Sequence, residues 1–166
     1  ICRRLEMPRP FLDEFQANLP KTDYIHFGFE EGTQTYVFKV YQEFYEDIVK
    51  GAKQQKTSGP QVLHLGYKWD VSDRRRRAMT RYLWSPAIEP KEVLKRVADI
   101  LLLPAHKDLF SLVRGMFSLA LTRMHYKDVL FLDVSEKNSP RHSFDLNLYT
   151  ANLCLAEPYP FLHQLC

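Results

Sequence analysis

The sequence predicts an α+β fold in which β-hairpins alternate with helices, and three observations predict it. Apolar and polar residues alternate with a period of two in three pairs of short segments, as in strands with one buried face. Amphipathic segments with apolar residues three or four positions apart lie between the pairs. The phrases "IHFGFE" at 25–30 and "LHLGYK" at 63–68 nearly repeat each other. The chain therefore repeats a hairpin-and-helix unit, with a period of about 40 to 65 residues.

The first third of the chain is predicted to form a helix, a hairpin and a second helix. Apolar residues recur at every fourth position until Pro20, which ends the first helix. Gly32 marks the turn of the hairpin, and the polar stretch "QQKTSGP" follows the second helix. These elements are helix Phe11–Leu19, strands Tyr24–Glu30 and Tyr36–Phe44, and helix Tyr45–Gln54.

The rest of the chain repeats the pattern with two helices between hairpins. Pro86 stops a strand, and Pro90 lies in the first turn of the next helix, where the missing N–H has no intrahelical partner to lose. The predicted elements are strands Val62–Asp70 and Arg77–Trp84, a helix in Ile88–Leu103, helix Lys107–Arg123, strands Val129–Ser135 and Ser143–Tyr149, and a helix from Tyr159.

Charge and cysteine content restrict the function classes. The net charge of +3 is a small excess of 23 basic over 20 acidic residues. Nucleic-acid binding usually shows a larger or more clustered excess, so we expect no nucleic-acid partner. Cys2, Cys154 and Cys166 form no C-x-x-C pair, which predicts a reducing, cytoplasmic compartment without a disulfide or zinc site. The longest apolar run, Ile100–Leu103, is too short to span a bilayer.

Alternation along the strands also assigns side chains to faces. One face of each hairpin is apolar and needs a cover, which the helices are expected to supply. The other face is polar but carries a tyrosine two residues after a polar side chain in each hairpin: Lys39 with Tyr41, Thr80 with Tyr82, and Asn147 with Tyr149. Two interpretations are open at this point. Either the polar face meets bulk water, or the sheet curls into a partial barrel whose polar face lines a chamber, with helices outside.

Repeated helix–strand–strand–helix units with a polar, tyrosine-bearing strand face resemble the αββα, or PT-barrel, aromatic prenyltransferases. The segment Lys39-Val40-Tyr41 is similar to the Lys-x-Tyr strands of that family. The resemblance implies a barrel of five units, of which three occur here. Because the chain begins with Ile1 rather than Met, we expect residues 1–166 to be a single-domain excerpt of a longer αββα barrel. The implied activity moves a prenyl group from an allylic diphosphate to an electron-rich aromatic ring, such as an indole or a phenol.

The resemblance assigns roles to nine residues. The departing diphosphate needs cations, and a tyrosine ring shields an allylic cation through its quadrupole. The acceptor ring must also lose a proton to a base. The candidates are Lys39, Lys68 and Arg81 for diphosphate, Tyr41, Tyr82 and Tyr149 for the cation, and Glu30, His26 and His64 for the proton. Gly28 and Gly66 leave room beside the histidines for a ligand or another backbone.

No D-D-x-x-D motif is present, so the sequence implies neither a metal nor another cofactor. The expected partners are the diphosphate and its aromatic acceptor, with no membrane span and the oligomeric state left open. Two alternatives stand beside the enzyme. One is a non-catalytic module that binds a small molecule or a peptide, and the other is a structural domain that pairs through its polar sheet face.

Overall fold

The protein is an α+β structure built on one six-stranded antiparallel sheet. The computed structural model describes residues 1–46, 48, 59–102, 105–137, 139–140 and 142–163. The strands are β1 Tyr24–Glu31, β2 Tyr36–Glu43, β3 Gln61–Asp70, β4 Arg77–Trp84, β5 Leu130–Glu136 and β6 His142–Asn147. The helices among the described residues are α1 Arg9–Asn18, α2 Pro90–Ile100, α3 Lys107–Leu121 and the single-turn α4 Tyr159–Leu162. Most of the predicted helix Tyr45–Gln54 and of the loop after it lies outside the described residues.

The sheet is a meander, and within the described residues it is open. Its strands lie in the order β1-β2-β3-β4-β5-β6, so each one pairs with its neighbours in the chain. A barrel closes only when its first and last strands also pair. Within the described strands, β1 and β6 are the two edges and share no ladder, so the sheet is not closed into a barrel.

The described residues divide into two compact units. The first unit comprises Ile1–Trp84 with Asp133–His142, and the second comprises Ser85–Leu132 with Ser143–Cys166. Each unit has its own hydrophobic core.

In the first unit, α1 and the residues before it cover one face of β2, β3 and β4. Leu12 and Phe15 of α1 are buried against a layer of sheet residues, namely Val40, Leu65, Tyr67, Trp69 and Met79. The indole Nε1 of Trp69 donates a hydrogen bond to the carbonyl of Leu5, at 2.8 Å. Ile25, Phe27 and Phe29 of β1 point to this same face but are 40–53% exposed. The expected apolar face is therefore covered over β2–β4 and remains partly open at the edge strand.

A buried glutamine joins α1 to the sheet. Gln42 is fully buried, and its Nε2 donates to the carbonyl of Phe15 at 3.0 Å and to Oγ1 of Thr22 at 2.9 Å. The hydroxyl of Tyr67 donates to Oε1 of Gln42 at 3.2 Å. A buried polar group without partners is costly. The bond to Phe15 therefore fixes α1 on the sheet, the bond to Thr22 fixes the residues after α1, and the bond from Tyr67 orients the Gln42 amide.

The second unit packs α2 and α3 with residues of β5 and β6. Pro90 begins α2, as predicted, and Val93 and Val97 are fully buried on one side of that helix. Phe117 of α3 and Phe131 of β5 belong to the same core. None of the helices in the described part of the chain has the length and apolar character needed to cross a bilayer.

Candidate functional site

Seven of the nine predicted site residues lie on one face of β1–β4, in the first unit. Residues directly opposite each other in an antiparallel pair share a face. Lys39 is opposite Lys68, and His64 is opposite Tyr82. We call this surface the lysine–tyrosine face; with Glu43 added, it consists of His26, Glu30, Lys39, Tyr41, Glu43, His64, Lys68 and Tyr82.

A carboxylate joins the two lysines. Glu30 Oε1 accepts a short hydrogen bond from Lys39 Nζ, and Glu30 Oε2 lies 3.5 Å from Lys68 Nζ. The hydrogen bond from Lys39 and the charge of Lys68 lower the pKa of Glu30 below its ordinary value. Like charges directly opposite each other repel, so the Glu30 carboxylate keeps the lysines together. A lowered pKa also makes Glu30 a weaker proton acceptor than an ordinary glutamate.

Glu43 lies between the two histidines. Its Oε2 is 3.2 Å from Nε2 of His26 and 4.0 Å from Nδ1 of His64. The Tyr82 ring meets the ring of His64 edge to face, with centroids 5.7 Å apart. The sequence places Glu43 on the polar face but does not assign it a role. Glu43 is identified by its position opposite His64 on the neighbouring strand, and only the register of β2 and β3 gives that position.

Tyr41 and Tyr82 lie together in the middle of the face. Their rings are edge to face, with centroids 6.3 Å apart. Gly66 is opposite Tyr41, and a Cβ at Gly66 would lie 2.9 Å from Cε1 of Tyr41. The room expected beside Gly66 for a ligand or a backbone is therefore taken by the Tyr41 side chain. At Gly28 the nearest atom is Cβ of Lys39, at an ordinary contact distance of 3.4 Å.

The structure places the other two predicted residues elsewhere. Arg81 is opposite Leu65 and so lies on the reverse face of the same unit, where it lines a cavity. Tyr149 belongs to the second unit and lies beyond the end of β6, in a 3-10 turn, with 86% of its surface exposed. The strand expected through Tyr149 ends early because Oδ1 of Asn147 accepts the N–H of Tyr149, at 3.0 Å.

Neither metal-binding groups among the described residues nor comparison with known proteins assigns a function to this face. The described residues contain no group of three or more His, Cys, Asp or Glu side chains that could hold a metal ion. The chain matches no family model, no curated protein and no solved structure.

Proposed function

We propose that the first unit binds a small molecule on its lysine–tyrosine face, and that this ligand joins a phosphate-type anion to an allylic or aromatic group. The strand register is the observation that supports this proposal most. Lys39 and Lys68 face each other, and two residues away along the same strands Tyr41 faces Gly66. Two residues along a strand span about 7 Å. A short allylic diphosphate has its anionic and apolar ends about that far apart.

The lysine pair supports the anionic half of the proposal. The side chains of Lys39 and Lys68 keep 22% and 46% of their surface exposed, so a ligand can reach both. A diphosphate would take the place of the Glu30 carboxylate between them, and it brings more negative charge and more acceptor oxygens than that carboxylate. Hydrogen bonds between charged partners are the strongest of their kind.

The tyrosine pair supports the other half. Tyr41 and Tyr82 are partly buried and present an edge-to-face pair beside the lysines. Rings in this arrangement offer apolar surface and the negative face of a quadrupole, which suits a planar group or a developing allylic cation.

Prenyl transfer is the second candidate, and the His26–Glu43–His64 cluster favours it. In that reaction the bond from carbon to diphosphate breaks, a ring carbon of the acceptor bonds to the allylic carbon, and the ring proton passes to a base. A histidine beside Glu43 is better placed for that proton than Glu30, which is engaged by two lysines. For this candidate function, the open sheet supplies three of the five units of an αββα barrel, which curls with its helices outside. The enzyme would be cytoplasmic.

Calorimetry with dimethylallyl diphosphate tests the binding proposal. We expect Lys39→Ala and Lys68→Ala each to weaken binding about tenfold or more, because each removes a charge-assisted hydrogen bond. Lys95→Ala is the matched control, since Lys95 is an exposed lysine on α2 in the other unit. Equal affinities of wild type and Lys39→Ala would overturn the proposal.

Prenyl transfer has a separate readout. The chain is incubated with dimethylallyl diphosphate and indole or phenol, and the mass of the acceptor is followed. A gain of one prenyl group that requires His26 or His64 supports the enzyme. Tight binding without product assigns the face to binding alone.

A further inference from the structure

We propose a second binding site on the reverse face of the first unit, for a short apolar peptide with a free carboxyl terminus. The site is a cavity of about 630 Å³, formed by the end of α1, the residues after β2, and strands β3 and β4. Ligand sites in proteins commonly measure about 300–1,000 Å³. This site and its ligand are independent of the lysine–tyrosine face, because side chains on the two faces of a sheet point in opposite directions.

Two cationic side chains of the cavity can bind the carboxylate of the peptide. Arg81 and Lys21 both line the cavity and are exposed. Among the described residues, neither has an ion-pair partner. A guanidinium binds a carboxylate through two parallel hydrogen bonds, and an ammonium adds a second positive charge.

Part of the cavity lining is apolar. Phe44, Ile48, Val62 and Leu65 line it, and all but Leu65 keep part of their surface accessible. Apolar ligand side chains that cover this wall gain the free energy of removing both surfaces from water. A hydrophilic anion such as inorganic phosphate would leave the wall uncovered.

The remaining polar groups favour a peptide over a fatty acid. The amides of Asn18 and Gln61 line the cavity, and Gln61 Nε2 already donates to the carbonyl of Gly59, at 3.2 Å. An alkyl chain laid over these amides would cover their remaining polar atoms without offering a hydrogen bond, which is unfavourable. The N–H and C=O groups of a peptide would instead donate to these amides and accept from them. Glu14 also lines the cavity, and its carboxylate suits the peptide's N–H groups or its free amino end.

Calorimetric titration with trileucine, its carboxyl-terminal amide and decanoate tests the proposal. We expect trileucine to bind, the amide to bind about tenfold or more weakly, and decanoate to bind more weakly than trileucine. Arg81→Ala and Lys21→Ala should each weaken trileucine binding about tenfold, with melting temperatures that show the fold is retained. Lys95→Ala should have no effect, and a saturating allylic diphosphate should not compete.

The results that overturn the proposal are equally specific. They are equal affinity for trileucine and its amide, unchanged affinity in both the Arg81→Ala and the Lys21→Ala variants, tighter binding of decanoate, or no binding of trileucine at millimolar concentration. Competition by allylic diphosphate would place the peptide on the lysine–tyrosine face and would also overturn it. Failure of diphosphate to bind leaves the peptide test unaffected, so the two proposals fail separately.

Discussion

Replacing Gln42 with leucine is expected to loosen α1 from the sheet. Gln42 is fully buried and bonds to the Phe15 carbonyl, the Thr22 hydroxyl and the Tyr67 hydroxyl. Leucine has a similar volume and no polar atoms. The substitution therefore removes the hydrogen bonds of these three groups to Gln42, while adding little steric strain.

The expected cost follows from the partners that stay buried. Tyr67 is 1% exposed, and Phe15 is buried in the same layer. A buried polar group that loses a hydrogen bond costs about 1–3 kcal/mol. The Tyr67 hydroxyl also has a hydrogen bond with the Asn18 side chain, so the Tyr67 hydroxyl and the Phe15 carbonyl together cost about 2–4 kcal/mol, the lower part of the summed range. Burying a leucine side chain returns roughly 1.5–3 kcal/mol. The net loss in the free energy of unfolding is therefore about 1 kcal/mol, within a range of roughly −1 to 2.5.

Urea denaturation followed by circular dichroism measures this loss, with Gln16→Leu as the control. Gln16 lies on the exposed side of α1, where surface substitutions change stability by about 0.5 kcal/mol or less. A double-mutant cycle with Tyr67→Phe isolates the bond between Gln42 and Tyr67. We expect the combined variant to lose less stability than the two single losses added together, because each substitution removes the partner that the other leaves unpaired.

Strict additivity in the cycle would refute this account of the Gln42 contacts, because it would mean that Gln42 and Tyr67 do not interact. A Gln42→Leu variant more stable than the wild type by over about 1 kcal/mol would also refute it, because the polar partners of Gln42 would then reach water.

The remaining predictions concern pH, charge and packing in the first unit. Burial raises the pKa of Tyr67 to about 12 from an ordinary value of 10.0. Its contribution to stability is complete below pH 10 and is lost as the pH rises to 12, by roughly 2–3 kcal/mol in total; Tyr67→Phe should lack this alkaline loss in urea titrations at pH 9 to 12. Glu30→Gln should raise the affinity for inorganic pyrophosphate severalfold in calorimetry, because it removes the carboxylate that occupies the lysine pair. Gly66→Ala should cost about 1–3 kcal/mol in urea denaturation and alter the near-ultraviolet circular dichroism, since the new methyl displaces the Tyr41 ring.

Each of these three has an outcome that contradicts it. The alkaline loss in Tyr67→Phe must be smaller than in the wild type; equal slopes of stability against pH would mean that the hydroxyl is accessible. Weaker pyrophosphate binding in Glu30→Gln would mean that Glu30 positions the lysines for the anion rather than competing with it. Gly28→Ala is the matched control for Gly66→Ala, because its methyl meets only an ordinary contact; equal effects of the two substitutions would contradict the role given to Tyr41.

Local patterns predicted the strands well and the assembly less well. The period of two placed His26, Glu30, Lys39, Tyr41 and their neighbours on one face, and the register confirms it. Alternation is a property of a single strand and needs no knowledge of its partners. The end of β6 was missed because the side chain of Asn147 competes with the sheet for a backbone N–H, and residue type alone does not reveal that competition.

The sequence by itself determined the order of hairpins and helices and the side of each strand that is polar, because both depend on residues close together in the chain. Only the tertiary structure decided which polar groups meet. It placed Glu30 against both lysines and Glu43 between the histidines. It also put Arg81 on the reverse face, in a cavity that Lys21 lines as well. It also left β1 and β6 as edges of the sheet. These outcomes depend on strand pairing and packing between segments far apart in the chain, which the periodicity of one segment does not determine.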